Sequence, residues 1–359
     1  MNVLEHMERY GFEQLSVYTD PGAGLRAFIA IHDTTLGPAL GGCRVWAHRT
    51  EDEALMDVLR LGRAMTYKSA AAGLPLGGGK ALIMADPNTQ KTEALFRSFG
   101  RFVDSLGGRY ITTEDVGTTT PDLVWISYET RHVTGLPEAM GGSGDSSQIT
   151  GFGVFQGMRA CAQEVWNTDS LEGRTVAIQG FGKVATFLSQ HLLEAGAKLV
   201  VTDIYPEKLM AARQLDGVKV VSPEEIYDVP CDIFSPCALG GVLHKDTIPR
   251  LRGQIVCGGA NNQLLTEEDG ERLQRRSILY APDFIVNAGG VISISCEIGA
   301  KYSEAAAKQK TAAIFDTMQR VIATAKRQEI TTAKAADRLA EERIASVRKA
   351  KRVFLGHHS

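Results

Sequence analysis

The sequence lacks the features that mark secreted, membrane-spanning and polyanion-binding proteins. Its six cysteines form no CxxC pair and no His/Cys metal spacing, so we expect buried, reduced thiols rather than disulfides or a metal site. No run of about 18 uncharged apolar residues is present, which argues against a spanning helix. The first residues show no basic segment followed by an apolar one, so no signal peptide is expected. The formal net charge of -3 gives no electrostatic footprint for nucleic acid or an anionic membrane. We therefore expect a cytoplasmic protein with neither kind of partner.

The length and the order of predicted elements indicate an α/β protein of two domains. At 359 residues the chain exceeds what one core usually supports. The first part mixes predicted strands at 26–32, 81–84 and 109–113 with a helix at 51–65, and its glycine-rich segments 37–42 and 77–79 are predicted as a turn and a loop. After residue 150, strands predicted at 175–179, 198–202, 232–235, 254–257 and 278–280 alternate with helices, as parallel βαβ crossovers require. We expect an N-terminal mixed-sheet α/β domain over 1–140 that regains 330–359, a doubly wound Rossmann domain over 141–329, and a cleft between them.

A dinucleotide-binding motif follows the strand predicted at 175–179. The run Gly180-Phe181-Gly182-Lys183-Val184-Ala185 fits GxGxxA. Gly180 permits a tight turn, and Gly182 lets the backbone approach a pyrophosphate, which the N-terminal amides of the next helix then face. Asp203 ends the second strand about 20 residues later, where a carboxylate accepts hydrogen bonds from ribose hydroxyls and repels a 2′-phosphate. No Arg follows it, so NAD is favoured over NADP; a merely structural glycine turn is the alternative.

Two lysines and one aspartate are candidates for chemistry. Lys68 and Lys80 flank an apolar, glycine-rich segment, so we expect them to have few counterions and poor hydration. Asp115 follows the strand predicted at 109–113, where its carboxylate stands at a strand end. The alternative is that both lysines are solvated and that Asp115 caps a helix. The residues alone leave these two interpretations open.

Segments around these candidates resemble the Glu/Leu/Phe/Val amino-acid dehydrogenase family. The matching segments are 32–42, 65–68, 77–80, 114–118, 237–240, 260–264 and 287–292, and they span both predicted domains. Segments 69–74 and 111–119 are most similar to the branch that acts on leucine, whereas Gly79 and segments 141–146 and 231–237 lean toward the branch that acts on phenylalanine. The resemblance implies NAD-dependent, reversible oxidative deamination of a small apolar, branched-chain L-amino acid, leucine foremost, to the 2-oxo acid, ammonia and NADH. Phenylalanine is the alternative substrate within the family.

The resemblance also implies a role for each candidate. Lys68 would hold the substrate α-carboxylate, and the backbone at Gly41 and Gly42 would line the same pocket. Lys80 would polarise the attacking water and the developing oxygen of the carbinolamine. Asp115 would shuttle protons to and from the substrate nitrogen. Residues that would surround the substrate side chain are Leu40, Met65, Thr113, Val291 and Ile294.

Further positions would serve the cofactor and the assembly. Asn262 and Thr150 would orient the substrate and the nicotinamide, and other cofactor contacts would be Gly180, Phe181, Gly182, Lys183, Val184, Asp203 and Asn261. The first domain would bind substrate and mediate oligomerisation, and the branch that acts on leucine implies a homo-octamer.

The chemistry asks for the same residue types independently of the resemblance. An amino acid must lose a proton from nitrogen, give up a hydride and add water, which requires a cation for its carboxylate and groups that move protons. The hydride chemistry itself belongs to the nicotinamide. Two other classes are a non-catalytic NAD-sensing regulator, which needs neither lysine, and a 2-hydroxy-acid dehydrogenase. The latter usually pairs a His with an acid, and none of the eight histidines stands in such a motif.

Overall fold

The computed structural model describes residues 2–350, which form two compact units. Within those residues the first unit comprises 2–144, 294–303 and 340–350, and the second comprises 145–293 and 304–339. The chain leaves the first unit within 141–146, a segment without helix or strand. The limits expected for the functional domains, 1–140 with 330–359 and 141–329, stay a prediction, and 351–359 lie outside the described residues. In the described part of the chain, no helix combines the length and the apolar character needed to cross a membrane.

The first unit is built on a five-stranded mixed sheet. Its strands are β1 Gln14–Asp20, β2 Leu25–Asp33, β3 Ala39–Val45, β4 Gly77–Ile83 and β5 Tyr110–Glu114. They lie in the order β1-β2-β4-β3-β5, in which β2 is antiparallel to β1 and β4, and β3 is parallel to β4 and β5. The helices of this unit are α1 Val3–Tyr10, α2 Glu51–Ala71, α3 Glu93–Asp104 and α4 Thr120–Ser127, with a 3-10 turn at Glu138–Met140.

The two faces of this sheet pack against different helices. Cys43 and Ala81 belong to a core that includes Phe99 of α3. Leu82, on the opposite face of β4, packs in a separate core with Val58 of α2. Because side chains alternate along a strand, α2 covers the face to which the even-numbered residues of β3 and β4 point.

Two glycine segments predicted as a turn and a loop lie instead in strands. The turn at 37–42 is wrong from its third residue, where β3 begins, and the loop at 77–79 is wrong because β4 begins there. A Cβ on Gly41 would stand 1.8 Å from the carbonyl oxygen of Gly79, and one on Gly78 would stand 2.0 Å from the backbone nitrogen of Thr66. These glycines therefore permit close approach of β3, β4 and α2 rather than chain reversal. Helix α2 also continues beyond the predicted end at residue 65.

The second unit is built on a six-stranded parallel sheet. Its strands are β6 Thr175–Gln179, β7 Lys198–Thr202, β8 Val218–Val220, β9 Ile233–Pro236, β10 Ile255–Val256 and β11 Leu279–Tyr280. Their order, β11-β10-β9-β6-β7-β8, with every pair parallel, is that of a doubly wound Rossmann sheet, as predicted. Strand β8 was not anticipated, because three residues are too few to show a period.

Several helices lie wholly within the second unit. They are α5 Ser147–Trp166, α6 Lys183–Glu194, α7 Leu209–Ala212, α8 Glu267–Arg275, α9 Asp283–Val286, α11 Glu304–Ala312 and α12 Ile314–Gln328. Two further helices, α10 Gly289–Ser295 and α13 Thr332–Ala350, begin in the second unit and end in the first. Short 3-10 helices lie at Pro206–Lys208, Glu225–Asp228 and Ile248–Arg250.

Candidate active site and cofactor site

The predicted catalytic residues share one face of the first unit's sheet. Gly42 of β3 lies in register with Thr113 of β5. Asp115 follows Thr113 by two residues, and Lys80 precedes Leu82 of β4 by two. Because the side-chain period of a strand is two, these residues lie on the face covered by α2.

Lys80 and Asp115 form an ion pair on this face. The Lys80 Nζ lies 3.0 Å from Oδ1 of Asp115, and Lys80 is only 5% exposed. The expectation that Lys80 has few counterions is wrong, because its partner comes from the end of another strand. Burial opposes ionisation of Asp115, but Lys80 and then Arg44 outweigh it and hold the pKa of the carboxyl below its ordinary value. Asp115 is therefore a carboxylate at neutral pH.

Arg44 is a second partner of Asp115 and was not among the residues predicted from the sequence. Its Nε donates to Oδ2 of Asp115 at 3.0 Å, and its Nη1 donates to Oδ2 of Asp57 at 2.8 Å. Asp57 lies on α2, so the guanidinium connects the end of β5 with that helix. The sequence signal that could have identified Arg44 is its position two residues after Gly42, because side chains two residues apart on a strand lie on the same face.

Lys68 and Met65 lie one turn apart near the end of α2, and both are half-buried. The approach of the Thr66 backbone to Gly78 places this part of α2 on β4. In the neighbouring strand, the carbonyl oxygen of Gly41 accepts a hydrogen bond from the Tyr110 hydroxyl at 2.5 Å. Lys68 and the two glycines, which were predicted to bind the substrate carboxylate, thus lie on α2 and β3 of the same unit.

The predicted side-chain pocket residues are mostly buried. Leu40 of β3 is inaccessible, and Thr113 is 6% exposed on the same sheet face as Gly42. Val291 and Ile294 are also buried and lie three residues apart on α10, whereas Met65 is half-buried.

The glycine motif lies at the switch point of the parallel sheet, where β7 and β9 flank β6 on opposite sides. Gly180 has φ +92°, and a Cβ there would stand 2.5 Å from Cβ of Ala238, which follows β9. Gly182 is the N-cap of α6, and a Cβ there would meet nothing within 4 Å, so its backbone borders open space. Ala185 is buried beneath the first turn. This geometry fits a phosphate cradle at a helix N-terminus.

Asp203 comes directly after β7 and is held by backbone amides. The Phe181 N–H donates to its Oδ2 at 2.8 Å, and the Tyr205 N–H donates to its Oδ1 at 2.9 Å. A carboxylate has about four acceptor positions, so acceptor capacity remains for ribose hydroxyls. Lys208, which was not among the predicted residues, has its Nζ 3.8 Å from Oδ2.

Two asparagines follow β10 in the second unit. Asn261 accepts a hydrogen bond from Nδ2 of Asn287 through its Oδ1 at 2.7 Å. Asn262 has φ +52°, a left-handed conformation that asparagine tolerates better than most side chains. The backbone oxygens of both lie so close to Gly240 that a Cβ there would stand within 2.8 Å of each. The loop geometry is therefore specific, and both side chains are exposed.

The remaining predicted cofactor residues lie near the starts of α5 and α6. Thr150 is 9% exposed, and its hydroxyl donates to the Ser146 carbonyl at 2.9 Å. Lys183 is largely exposed and pairs with Asp145 at 2.7 Å. Val184 is half-buried.

The described residues contain neither a disulfide nor a cluster of metal ligands. Within 2–350, no group of three or more His, Cys, Asp or Glu side chains could hold a metal ion. All six cysteines are free. Cys43, Cys161 and Cys257 are buried as predicted, whereas the other three are only partly buried.

Comparison with known proteins gives matches over both units. A family model described as "Glu/Leu/Phe/Val dehydrogenase, dimerisation domain" matches residues 8–132, and one described as "Glutamate/Leucine/Phenylalanine/Valine dehydrogenase" matches 141–205 and 201–352. Leucine dehydrogenase of Geobacillus stearothermophilus is 52% identical over 100% of this chain and 98% of its own. Phenylalanine dehydrogenase of Caldalkalibacillus thermarum is 49% identical over 92% of this chain and 91% of its own. The crystal structure of L-tryptophan dehydrogenase from Nostoc punctiforme matches with a TM-score of 0.85 and 44% identity, covering 96% of this chain and 99% of that one.

Proposed function

Because the chain belongs to the Glu/Leu/Phe/Val dehydrogenase family and is an amino-acid dehydrogenase, we propose that it oxidatively deaminates leucine or a similar small apolar L-amino acid with NAD. The products are the 2-oxo acid, ammonia and NADH, and the reaction is reversible. The observation that carries the proposal is the ion pair of the buried Lys80 with Asp115, which lies beside Gly42 and Thr113 on one sheet face.

Lys68, Asp115 and Lys80 have distinct tasks. The Lys68 ammonium binds the substrate α-carboxylate. Asp115, ionised at neutral pH, accepts a proton from the substrate nitrogen and returns one when ammonia leaves. As water adds to the protonated imine it releases one proton to solvent, and the carbinolamine hydroxyl releases a second when it becomes the carbonyl oxygen. Lys80 donates a hydrogen bond to this oxygen, and the contact strengthens as the oxygen loses its proton. A bound nicotinamide would supply the hydride acceptor for the substrate Cα.

The second unit holds the dinucleotide. The open backbone at Gly182 and the N-terminal amides of α6 take the pyrophosphate, with Lys183 and Val184 beginning the helix. The Asp203 carboxylate takes the adenosine ribose hydroxyls, and its charge disfavours the 2′-phosphate of NADP. The loop that carries Asn261 and Asn262 would serve the nicotinamide. The start of α5, which carries Thr150, would serve it as well.

The residues proposed to surround the substrate side chain determine its size and charge. Leu40, Met65, Thr113, Val291 and Ile294 would supply no cation, so a glutamate side chain would be buried without a partner at high cost. Thr113 and Ile294 are bulky enough to favour leucine, isoleucine or valine.

Phenylalanine is the second candidate, and Gly79 was one reason to consider it. A Cβ at Gly79 would stand 2.8 Å from the carbonyl oxygen of Ala30 on β2 and 3.1 Å from the Tyr110 ring, on the opposite face from Lys80. Gly79 therefore concerns close packing against β2 and Tyr110 and does not bear on substrate size. Phenylalanine stays among the substrates to be tested because the chain is 49% identical to a phenylalanine dehydrogenase.

A homo-oligomer in the cytoplasm completes the proposal. The first family model is named for dimerisation, which supports contacts between copies through residues 8–132. The octamer implied by the resemblance stays a prediction that light scattering on the purified protein measures.

One substrate panel tests the proposal. NADH formation is followed for each of the twenty common amino acids, and leucine should give the highest kcat/KM. Lys80→Ala and Asp115→Asn should each lower kcat about 10²- to 10⁴-fold without weakening NAD binding. Lys91→Ala is the matched control, because Lys91 pairs with Asp122 on α4 and lies outside the proposed site. Binding of NAD without turnover of any amino acid would favour the NAD-sensing regulator instead.

A further inference from the structure

Arg44 joins two carboxylates that belong to different elements of the first unit. It donates from Nε to Asp115 at 3.0 Å and from Nη1 to Asp57 at 2.8 Å. The side chains of Arg44 and Asp115 are each 20% exposed, and that of Asp57 is 13% exposed. Ion pairs this sheltered are screened much less than surface pairs.

The Asp115 carboxylate is restrained at both oxygens and at its backbone. Lys80 contacts Oδ1, and Arg44 contacts Oδ2. The Asp115 N–H donates to Oγ1 of Thr118 at 2.7 Å, and that hydroxyl lies 2.9 Å from the Cys43 carbonyl of β3. Without Arg44, Lys80 alone would orient the carboxylate, and the mobile end of a lysine does not fix a rotamer well.

We propose that Arg44 is a positioning residue for the dehydrogenase reaction, which tethers Asp115 to α2 through Asp57 and so keeps Oδ1 directed at Lys80. This rests on the proton-transfer role of Asp115 in the proposed function. The planar guanidinium suits the task, because separate nitrogens of its rigid fork bind the two carboxylates.

Arg44 also favours the ionised form of Asp115. Burial raises the pKa of Asp115, and the opposing effects of Lys80 on β4 and Arg44 on β3 keep it low. The Cys43 thiol and the Tyr110 hydroxyl nearby stay neutral, since burial raises the pKa of each well above its ordinary value. On the side of α2, Arg44 also faces the Asp57 carboxylate at 2.8 Å, and His48 lies 3.4 Å from that carboxylate. Removal of Arg44 therefore raises the pKa of Asp115, and a variant that keeps the positive charge raises it less.

The test compares Arg44→Met, Arg44→Lys and the control Arg60→Gln. Arg60 contacts the other oxygen of Asp57 at 3.2 Å, but its side chain is 60% exposed. Arg44→Met should lower kcat about 10²-fold, the cost of a small misplacement of a reacting group, with little change in KM. The acidic limb of its kcat/KM profile should move to higher pH. Arg44→Lys should keep the limb near its wild-type position and recover part of kcat, and Arg60→Gln should behave as wild type.

Several results would overturn the proposal. They are a wild-type kcat in Arg44→Met, a loss of kcat with an unmoved acidic limb, and an equal loss in Arg60→Gln. If Arg44→Met does not fold, Asp57→Ala replaces it, since it removes the tether while keeping Arg44 and Asp115. It must then lower kcat without weakening NAD binding, and an unchanged kcat rejects the tether.

Carbon-13 NMR titration of the Asp115 carboxyl separates this proposal from the proposed function. If Asp115→Asn turned over leucine normally, the proton-transfer role would fail. The NMR titration would still report whether the pKa of Asp115 rises when Arg44 is replaced by Met and is restored by Lys. An identical titration in wild type and Arg44→Met would reject the electrostatic part of the proposal.

Discussion

Replacing Asp115 by Asn should destabilise the protein more than replacing Lys80 by Met. Both substitutions preserve side-chain size, and both break the 3.0 Å pair. They leave different charges behind, however. Lys80→Met leaves Asp115 paired with Arg44 at 3.0 Å, whereas Asp115→Asn deprives a 5% exposed ammonium of its carboxylate. The order of the two effects therefore follows from Arg44.

The expected magnitudes are large enough to measure. Removing one partner of a buried ion pair costs about 3–5 kcal/mol, which we expect for Asp115→Asn. Lys80→Met should cost about 1.5–3 kcal/mol, the net contribution of a hydrogen bond to a charged group. Urea unfolding followed by circular dichroism gives both values, at a fixed protein concentration because assembly contributes to stability. A Lys80→Met variant as unstable as Asp115→Asn would refute the reasoning.

Acid should reduce the difference between wild type and Asp115→Asn. The pKa of Asp115 is lowered in the folded protein, so ionised Asp115 stabilises the fold. This contribution is complete above the ordinary carboxyl pKa of 3.8 and is lost as the pH falls through the folded-state pKa. A difference in unfolding free energy that stays constant between neutral pH and about pH 3 would contradict this assignment.

Four further substitutions test other parts of the molecule. Lys68→Ala should raise KM for the amino acid much more than it lowers kcat, as measured by initial rates of NADH formation. Asp203→Ser should raise the ratio of NADP to NAD efficiency in steady-state kinetics, because it frees the Lys208 ammonium, 3.8 Å away, to attract a 2′-phosphate. Thr113→Gly should shift the kcat/KM ratio from leucine toward phenylalanine; a methylene is worth only about 1–3 kcal/mol, so an unchanged ratio would remove Thr113 from the pocket. Gly78→Ala should lower the thermal unfolding midpoint, because its Cβ would stand 2.0 Å from a backbone nitrogen of α2.

The second unit could be predicted well because its signals are local. Strands β6 and β7 have the predicted limits, and helix α6 follows the glycine motif as predicted, since each is a short apolar run or a helical period bounded by turn residues. The phosphate cradle follows from the same stretch, because the GxGxxA spacing refers only to a strand, a turn and a helix. Strands β10 and β11 are shorter than predicted, with two residues each.

The first unit was harder to predict because its glycines are required by contacts with residues that are distant in the sequence. Gly41 faces the carbonyl of Gly79, and Gly78 faces the backbone of Thr66. The neighbouring residues in the sequence do not reveal such contacts. The prediction therefore followed the local preference of glycine for turns and placed a turn and a loop at these positions. The close approach required by sheet pairing and by α2 decides the conformation instead.

The same error explains why Arg44 was missed. Residue types and the resemblance identified Lys80 and Asp115, but their pairing depends on the register of β3, β4 and β5, which no local pattern contains. Once β3 is continued through Gly42, the two-residue period places Arg44 on the face of Lys80. A turn at that point removes the period and with it the reason to consider Arg44. The turn wrongly predicted over 37–42 and the omission of Arg44 therefore have the same cause. Glycine permits close packing as readily as it permits turns.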